Sequence, residues 1–95
     1  MEISYDRNFR GNLEIVFQED DYLEVMDVLL TEWSAESRER IQTVDQLWHD
    51  LSIEGSIITL HTDGMAGCCL ISRDRDDEEL LRRIGDSLNN RKRSG

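Results

Sequence analysis

The segment Leu47-Trp48-His49-Asp50-Leu51-Ser52-Ile53-Glu54-Gly55-Ser56-Ile57-Ile58-Thr59-Leu60-His61 decides the fold. Leu47, His49, Leu51 and Ile53 alternate with Trp48, Asp50, Ser52 and Glu54, a period of two that suits a strand with one buried face. Glu54-Gly55-Ser56 is a turn signal, and Ile57-Ile58-Thr59-Leu60-His61 follows as a second strand. After Asp63-Gly64-Met65-Ala66-Gly67, Cys68-Cys69-Leu70-Ile71-Ser72 reads as a third. Three strands joined this closely predict an antiparallel meander. Its middle member is apolar at nearly every position, as in a strand covered on both faces or lying at a subunit contact.

Upstream, Met1, Ile3 and Tyr5 alternate with Glu2 and Ser4, and Leu13, Ile15 and Phe17 bracket Glu14 and Val16. Arg7 to Asn12 supplies turn residues between them, so a β-hairpin is expected. At Glu19-Asp20-Asp21 the period changes. Asp20 or Asp21 can cap a helix, and Tyr22, Val25, Met26, Leu29, Leu30 and Trp33 follow at helical spacing, with Glu24, Asp27 and Glu32 off the stripe. Ser34 to Gln46 is polar, with only Ile41 and Val44 to bury; it is either a continued helix or an ordered connection. Asp76 with Glu79 three residues on forms a capping-box signal. A short amphipathic helix through Leu80, Leu81, Ile84 and Leu88 follows, ending near Asn89-Asn90. The expected fold is α+β: a two-layer sandwich with a largely antiparallel sheet of about five strands and two helices on one face, in a single domain over residues 1–90. Residues 91–95, Arg91-Lys92-Arg93-Ser94-Gly95, read as a mobile basic tail.

With 95 residues and 38% apolar composition, the core is a thin layer with little room for a deep cavity. Asp and Glu number 21 against 11 Lys and Arg, a formal net charge of -10. Such a field repels phosphate backbones and anionic lipid, so neither nucleic acid nor membrane is an expected partner. No stretch is apolar enough to span a bilayer, and the start Met1-Glu2-Ile3 is not that of a signal peptide. A cytoplasmic location is expected. Adjacent Cys68 and Cys69 point to opposite faces of a strand and pair with each other only under strain, which agrees with a reducing compartment.

Soft metal ligands occur at His49, His61, Cys68 and Cys69, but without a Cys-x-x-Cys or His-x-x-x-His spacing. Packing cysteines and surface histidines are the simpler reading; no metal and no cofactor is expected. Cys68 with His61 is the one candidate nucleophile pair, and the Gly64 to Gly67 loop matches neither a nucleophile elbow nor a phosphate cradle. The chain is therefore not expected to be an enzyme.

Eleven carboxylates lie between Glu19 and Glu54, with only Arg38 and Arg40 against them. They are either a solvated, solubilising face or an electrostatic surface for a basic protein. The binding reading assigns Asp20, Asp21, Glu24, Asp27 and Glu32 on the first helix, together with Trp48, Asp50 and Glu54. Trp48 is then either an anchor beside carboxylates or a cover for the open sheet face.

The pattern Trp48-x-Asp50-Leu51-x-x-Glu54-Gly55, followed by Ile58-Thr59-Leu60-His61 and a strand opening near Gly67, resembles small bacterial αβ proteins. These include an uncharacterised family of about this size and immunity proteins encoded beside secreted toxins. The resemblance implies a small acidic protein that binds a cognate toxin and blocks its active site; it transfers no individual residue. The expectation is a non-enzymatic module that occludes a basic toxin domain. The alternatives are an acidic secretion chaperone that holds an effector, dimeric through Ile57, Ile58 and Leu60, and an uncharacterised dimeric structural protein.

Overall fold

A computed structural model describes residues 2–64 and 67–93. Eight main elements follow one another: β1 (Ile3–Arg7), β2 (Leu13–Phe17), α1 (Tyr22–Glu32), β3 (Glu36–Gln42), β4 (Gln46–Ile53), β5 (Ser56–Asp63), β6 (Gly67–Ser72) and α2 (Glu78–Arg93). Short 3₁₀ turns at Glu19–Asp21 and Arg75–Asp77 lead into the helices. The strands form one sheet in the order β1-β2-β6-β5-β4-β3, with every neighbouring pair antiparallel. The expected α+β sandwich is therefore present, with six strands where about five were expected.

Period-two patterning places the core. Leu13, Ile15 and Phe17 of β2, Leu51 and Ile53 of β4, Ile58 and Leu60 of β5, and Cys68 and Leu70 of β6 are all buried. They form one cluster with Val25, Val28 and Leu29 of α1 and with Leu80, Leu81, Ile84 and Leu88 of α2. Both helices thus cover the same side of the sheet, and α2 packs over β1, β2 and β6. The β1–β2 hairpin and the β4–β5–β6 meander agree with the alternation in the sequence. Burial of Ile58 and Leu60 beneath the helices removes them from any subunit contact, so a dimer built on Ile57, Ile58 and Leu60 does not fit this fold.

The segment left open between helix and connection is strand β3 at the sheet edge. All seven of its residues are exposed. Ser37 faces Leu51 while Arg40 faces His49, so β3 carries one extra residue, a bulge that breaks the alternation. Charges along an edge strand also deter pairing with foreign strands. Ahead of α2, the 3₁₀ turn Arg75–Asp77 is capped by Asp74, whose side chain accepts from the Asp76 amide at 3.1 Å; Asp76, expected to cap the helix, lies inside that turn. α2 continues to Arg93, beyond the expected end near Asn89-Asn90, and residues 94 and 95 of the expected tail lie outside the described residues. No helix among the described residues is long and apolar enough to cross a membrane.

Candidate interaction surfaces

Helix α1 displays the acidic run as a surface. Val25, Val28 and Leu29 anchor it at 0% exposure, which turns Glu24 and Asp27 outward; Asp20 in the preceding turn and Glu32 at the helix end are exposed too. Asp21 is half-buried at the helix start and makes no side-chain capping bond there. Carboxylates near this end still oppose the positive pole of the helix. The apolar stripe differs from the expected one. Val28 is inside, whereas Leu30 is 48% exposed, and Leu23, one heptad earlier on the same line of the helix, is 78% exposed. Two leucines therefore stand among the carboxylates of the solvent face.

Leu23 also borders a groove of about 510 Å³ between the start of α1 and the β3–β4 turn. Tyr22 and Leu47 contribute to its lining, the fully exposed Val44 stands on its rim, and Glu19, Asp20, Asp45 and Arg40 supply charge. Leu23 was not singled out by the sequence pattern, and Val44, expected with Ile41 to be buried, is exposed instead, as Ile41 is, because both stand on or beside the edge strand β3. The one signal for Leu23 is that it falls off the stripe the core uses.

Trp48 and Asp50 lie on the other side of the sheet, since they alternate with the buried Leu47, His49 and Leu51. Trp48 stacks on His61 of β5 with ring centroids 5.0 Å apart and planes 11° from parallel. Asp50 is engaged internally: it accepts from Thr59 Oγ1 at 2.7 Å and pairs with the Arg73 guanidinium. Glu54, in the β4–β5 turn, pairs with Arg83 of α2 at 2.9 Å. The eight residues assigned to binding thus do not form one surface. The five on α1 and the turn before it share the helix side of the molecule, Trp48 and Asp50 share the opposite face, and Glu54 is bound to the second helix.

Cys68 points into the core, where its Sγ lies 3.6 Å from Thr62 Oγ1, and burial raises its pKa. His61 sits on the opposite face, directly across from Cys69. The Cys68–His61 dyad is therefore not formed. Nor is Cys69 an activated nucleophile, because burial, followed by Glu14 and Cys68, pushes its pKa up to about 12 and keeps the thiol protonated. His49 is buried on the helix side with Nε2 2.6 Å from Ser37 Oγ. Burial, then Arg40, holds its pKa below the ordinary value. Among the described residues no group of three or more His, Cys, Asp or Glu converges on a common point.

No family model, curated protein or solved structure matches the chain.

Proposed function

We propose that the chain is a non-enzymatic protein-binding module working through the outer face of α1 and the adjoining groove. More specifically, it is an immunity protein that occludes a basic secreted toxin domain. The observation that carries this reading is the pairing of exposed Leu23 and Leu30 with exposed Asp20, Glu24 and Asp27 on one helix face. A helix serving only solubility has no use for two leucines in water, and Leu23 continues across the groove to Val44. Carboxylates would steer a basic partner and set its orientation, and the leucines would supply the apolar contact once water is expelled.

Co-expression with the product of the adjacent gene, followed by purification through a tag on that product alone, tests the reading. A stoichiometric complex and loss of toxicity are expected; a toxin that neither binds nor is neutralised sinks it. Reversing Asp20, Asp21, Glu24 and Asp27 to Lys should slow association sharply at low salt and much less at high salt. An unchanged rate would reduce the acidic face to a solubility device.

The open groove bordered by Leu23 and Val44 also favours the secretion chaperone as a second reading. The two differ in what is held: an immunity protein binds its partner folded, whereas a chaperone keeps an effector unfolded, which hydrogen exchange on the complex distinguishes.

A further inference from the structure

The β3–β4 turn is closed from both ends: the Thr43 amide donates to the Gln46 carbonyl at 2.8 Å, and the Gln46 amide donates to Thr43 Oγ1 at 3.2 Å. Its tip, Val44 and Asp45, is fastened to the end of β5 by the Gly64 amide, which donates to the Asp45 carbonyl at 3.0 Å. Aspartate is an ordinary turn residue; a β-branched valine with its side chain wholly in water is not. Val44 serves neither the turn nor the core, and it stands on the rim of the groove that Leu23 also borders. The charges of the groove are equally unused. Glu19 and Asp20 reach it from the turn before α1, Asp45 from the hairpin tip, and Arg40 from β3. Among the described residues none of these four is in an ion pair. The positive pole of α1 lies at the same end, but at about half a charge it is outweighed by the carboxylates.

We propose that this groove takes a single arginine side chain of the basic partner. The proposal rests on the reading of α1 and the groove as the partner surface, and it names the group that enters. Charge complementarity selects a cation, since the lining carries three carboxylates, from two separate elements, against one guanidinium. A bare metal ion does not suit the site, because no three ligand groups converge among the described residues. The rest of the lining includes Tyr22, Leu23, Val44 and Leu47, so the cation needs an apolar stem to cover them. Guanidinium is preferred to ammonium: it is weakly hydrated, it stacks on an aromatic ring such as that of Tyr22, and its fork of donors serves carboxylates on more than one side. The volume of about 510 Å³ lies within the roughly 300–1,000 Å³ of pockets that admit a whole small ligand, so a complete side chain fits. Arg40 opposes the occupant, which gives its removal a predictable sign.

Heteronuclear NMR of the isotope-labelled chain, titrated with N-acetyl-arginine amide, tests the proposal without any toxin. Saturable shifts at Leu23, Val44 and Asp45 are expected, with a dissociation constant on the order of 1 mM. N-acetyl-citrulline amide, the neutral near-isostere, and N-acetyl-lysine amide should each bind at least about 5-fold more weakly. Asp20→Asn combined with Asp45→Asn should weaken the arginine compound about 10-fold, and Arg40→Ala should tighten it about 2-fold. All three positions are exposed, and unshifted core resonances report that the variants fold. No saturable shift in the groove, equal binding of either control, or shifts centred instead on Glu24 and Asp27 overturns the proposal. Weaker binding by Arg40→Ala does so too, since it makes Arg40 part of the site and not its opponent. The outcome is separable from the toxin experiment. Binding of the arginine compound by a chain that neutralises no adjacent gene product keeps the site and removes the immunity reading; neutralisation undiminished by the paired Asp20 and Asp45 substitutions keeps that reading and removes the site.

Discussion

The Tyr5 ring lies against Gly85 so closely that a Cβ built on the glycine would stand 2.8 Å from ring atoms Cε1 and Cζ, and closer still to Oη. The hydroxyl is held in place, donating to the Asp86 carboxylate at 2.9 Å and to the Arg82 carbonyl at 3.3 Å. Burial, reinforced by the bond to Asp86, pushes the phenol pKa up to about 12, so the hydroxyl stays a donor. This contact fastens the edge strand β1 to α2, and it explains a glycine inside a helix, where glycine costs about 1 kcal/mol relative to alanine.

Gly85→Ala should therefore destabilise the protein, because the overpacking cost of about 1–3 kcal/mol exceeds the gain in helix propensity. In a Tyr5→Ala background the obstacle is gone, and the same substitution should become stabilising. Urea denaturation of the two single variants and the double variant measures the coupling. Additive effects would show that the ring does not constrain Gly85.

Much of this architecture is legible in the chain because alternation reports which face of a strand is buried. Leu47, Leu51 and Ile53 lie on the core side as their spacing requires, and Trp48 and Asp50 lie opposite. Alternation is silent on which strands are neighbours. The pairing of Glu14 with Ile71 and of Phe17 with Cys68 inserts β6 beside β2, across more than fifty residues, and no local pattern announces it. The alignment of Trp48, His61 and Cys69 across three strands was hidden for the same reason: each residue is visible in its strand, but only register aligns them. β3 escaped notice because its bulge and its wholly exposed side chains leave no periodic apolar signal. On α1 the spacing marked Leu30 for the core, yet the sheet accepts only one arc of the helix and Val28 occupies it.

The β4–β5 turn carries a correctable strain. Glu54 has φ +52° and Gly55 φ +81°, so both central residues are left-handed, the conformation in which Asn-Gly is the preferred pair. Glutamate is costly there, and its ion pair with Arg83 joins side chains that are about half exposed, which limits its worth to less than about 1 kcal/mol. Glu54→Asn should raise stability by about 0.5 kcal/mol, the relief of strain exceeding the lost pair. Glu54→Gln keeps the strain and removes the charge, so it should lower stability slightly. Thermal melts of the two variants decide the point: an Asn variant no more stable than the Gln variant would show that the turn is unstrained.

His49 makes stability depend on pH in a window that can be assigned. Its imidazole is 7% exposed, its Nε2 meets Ser37 Oγ, and its Nδ1 has no hydrogen-bond partner among the described residues. Burial and then Arg40 hold its folded-state pKa below 6.5, with Asp50 opposing them. The unfolded chain therefore binds a proton at a pH where the folded chain does not. Stability from this group is fully present above about 6.5, falls as pH drops below that value, and levels off beneath the folded-state pKa. The Glu78 carboxylate, held below 4.5 by its hydrogen bond to Arg7, also favours the folded state at higher pH, but its loss starts only near 4.5. The two limbs are thus separable. His49→Leu should flatten the limb that begins near 6.5 and leave the more acidic one in place, while Arg7→Ala should do the reverse. Denaturant midpoints measured across both windows check the assignment. An undiminished upper limb in His49→Leu would move the origin of the pH dependence away from His49.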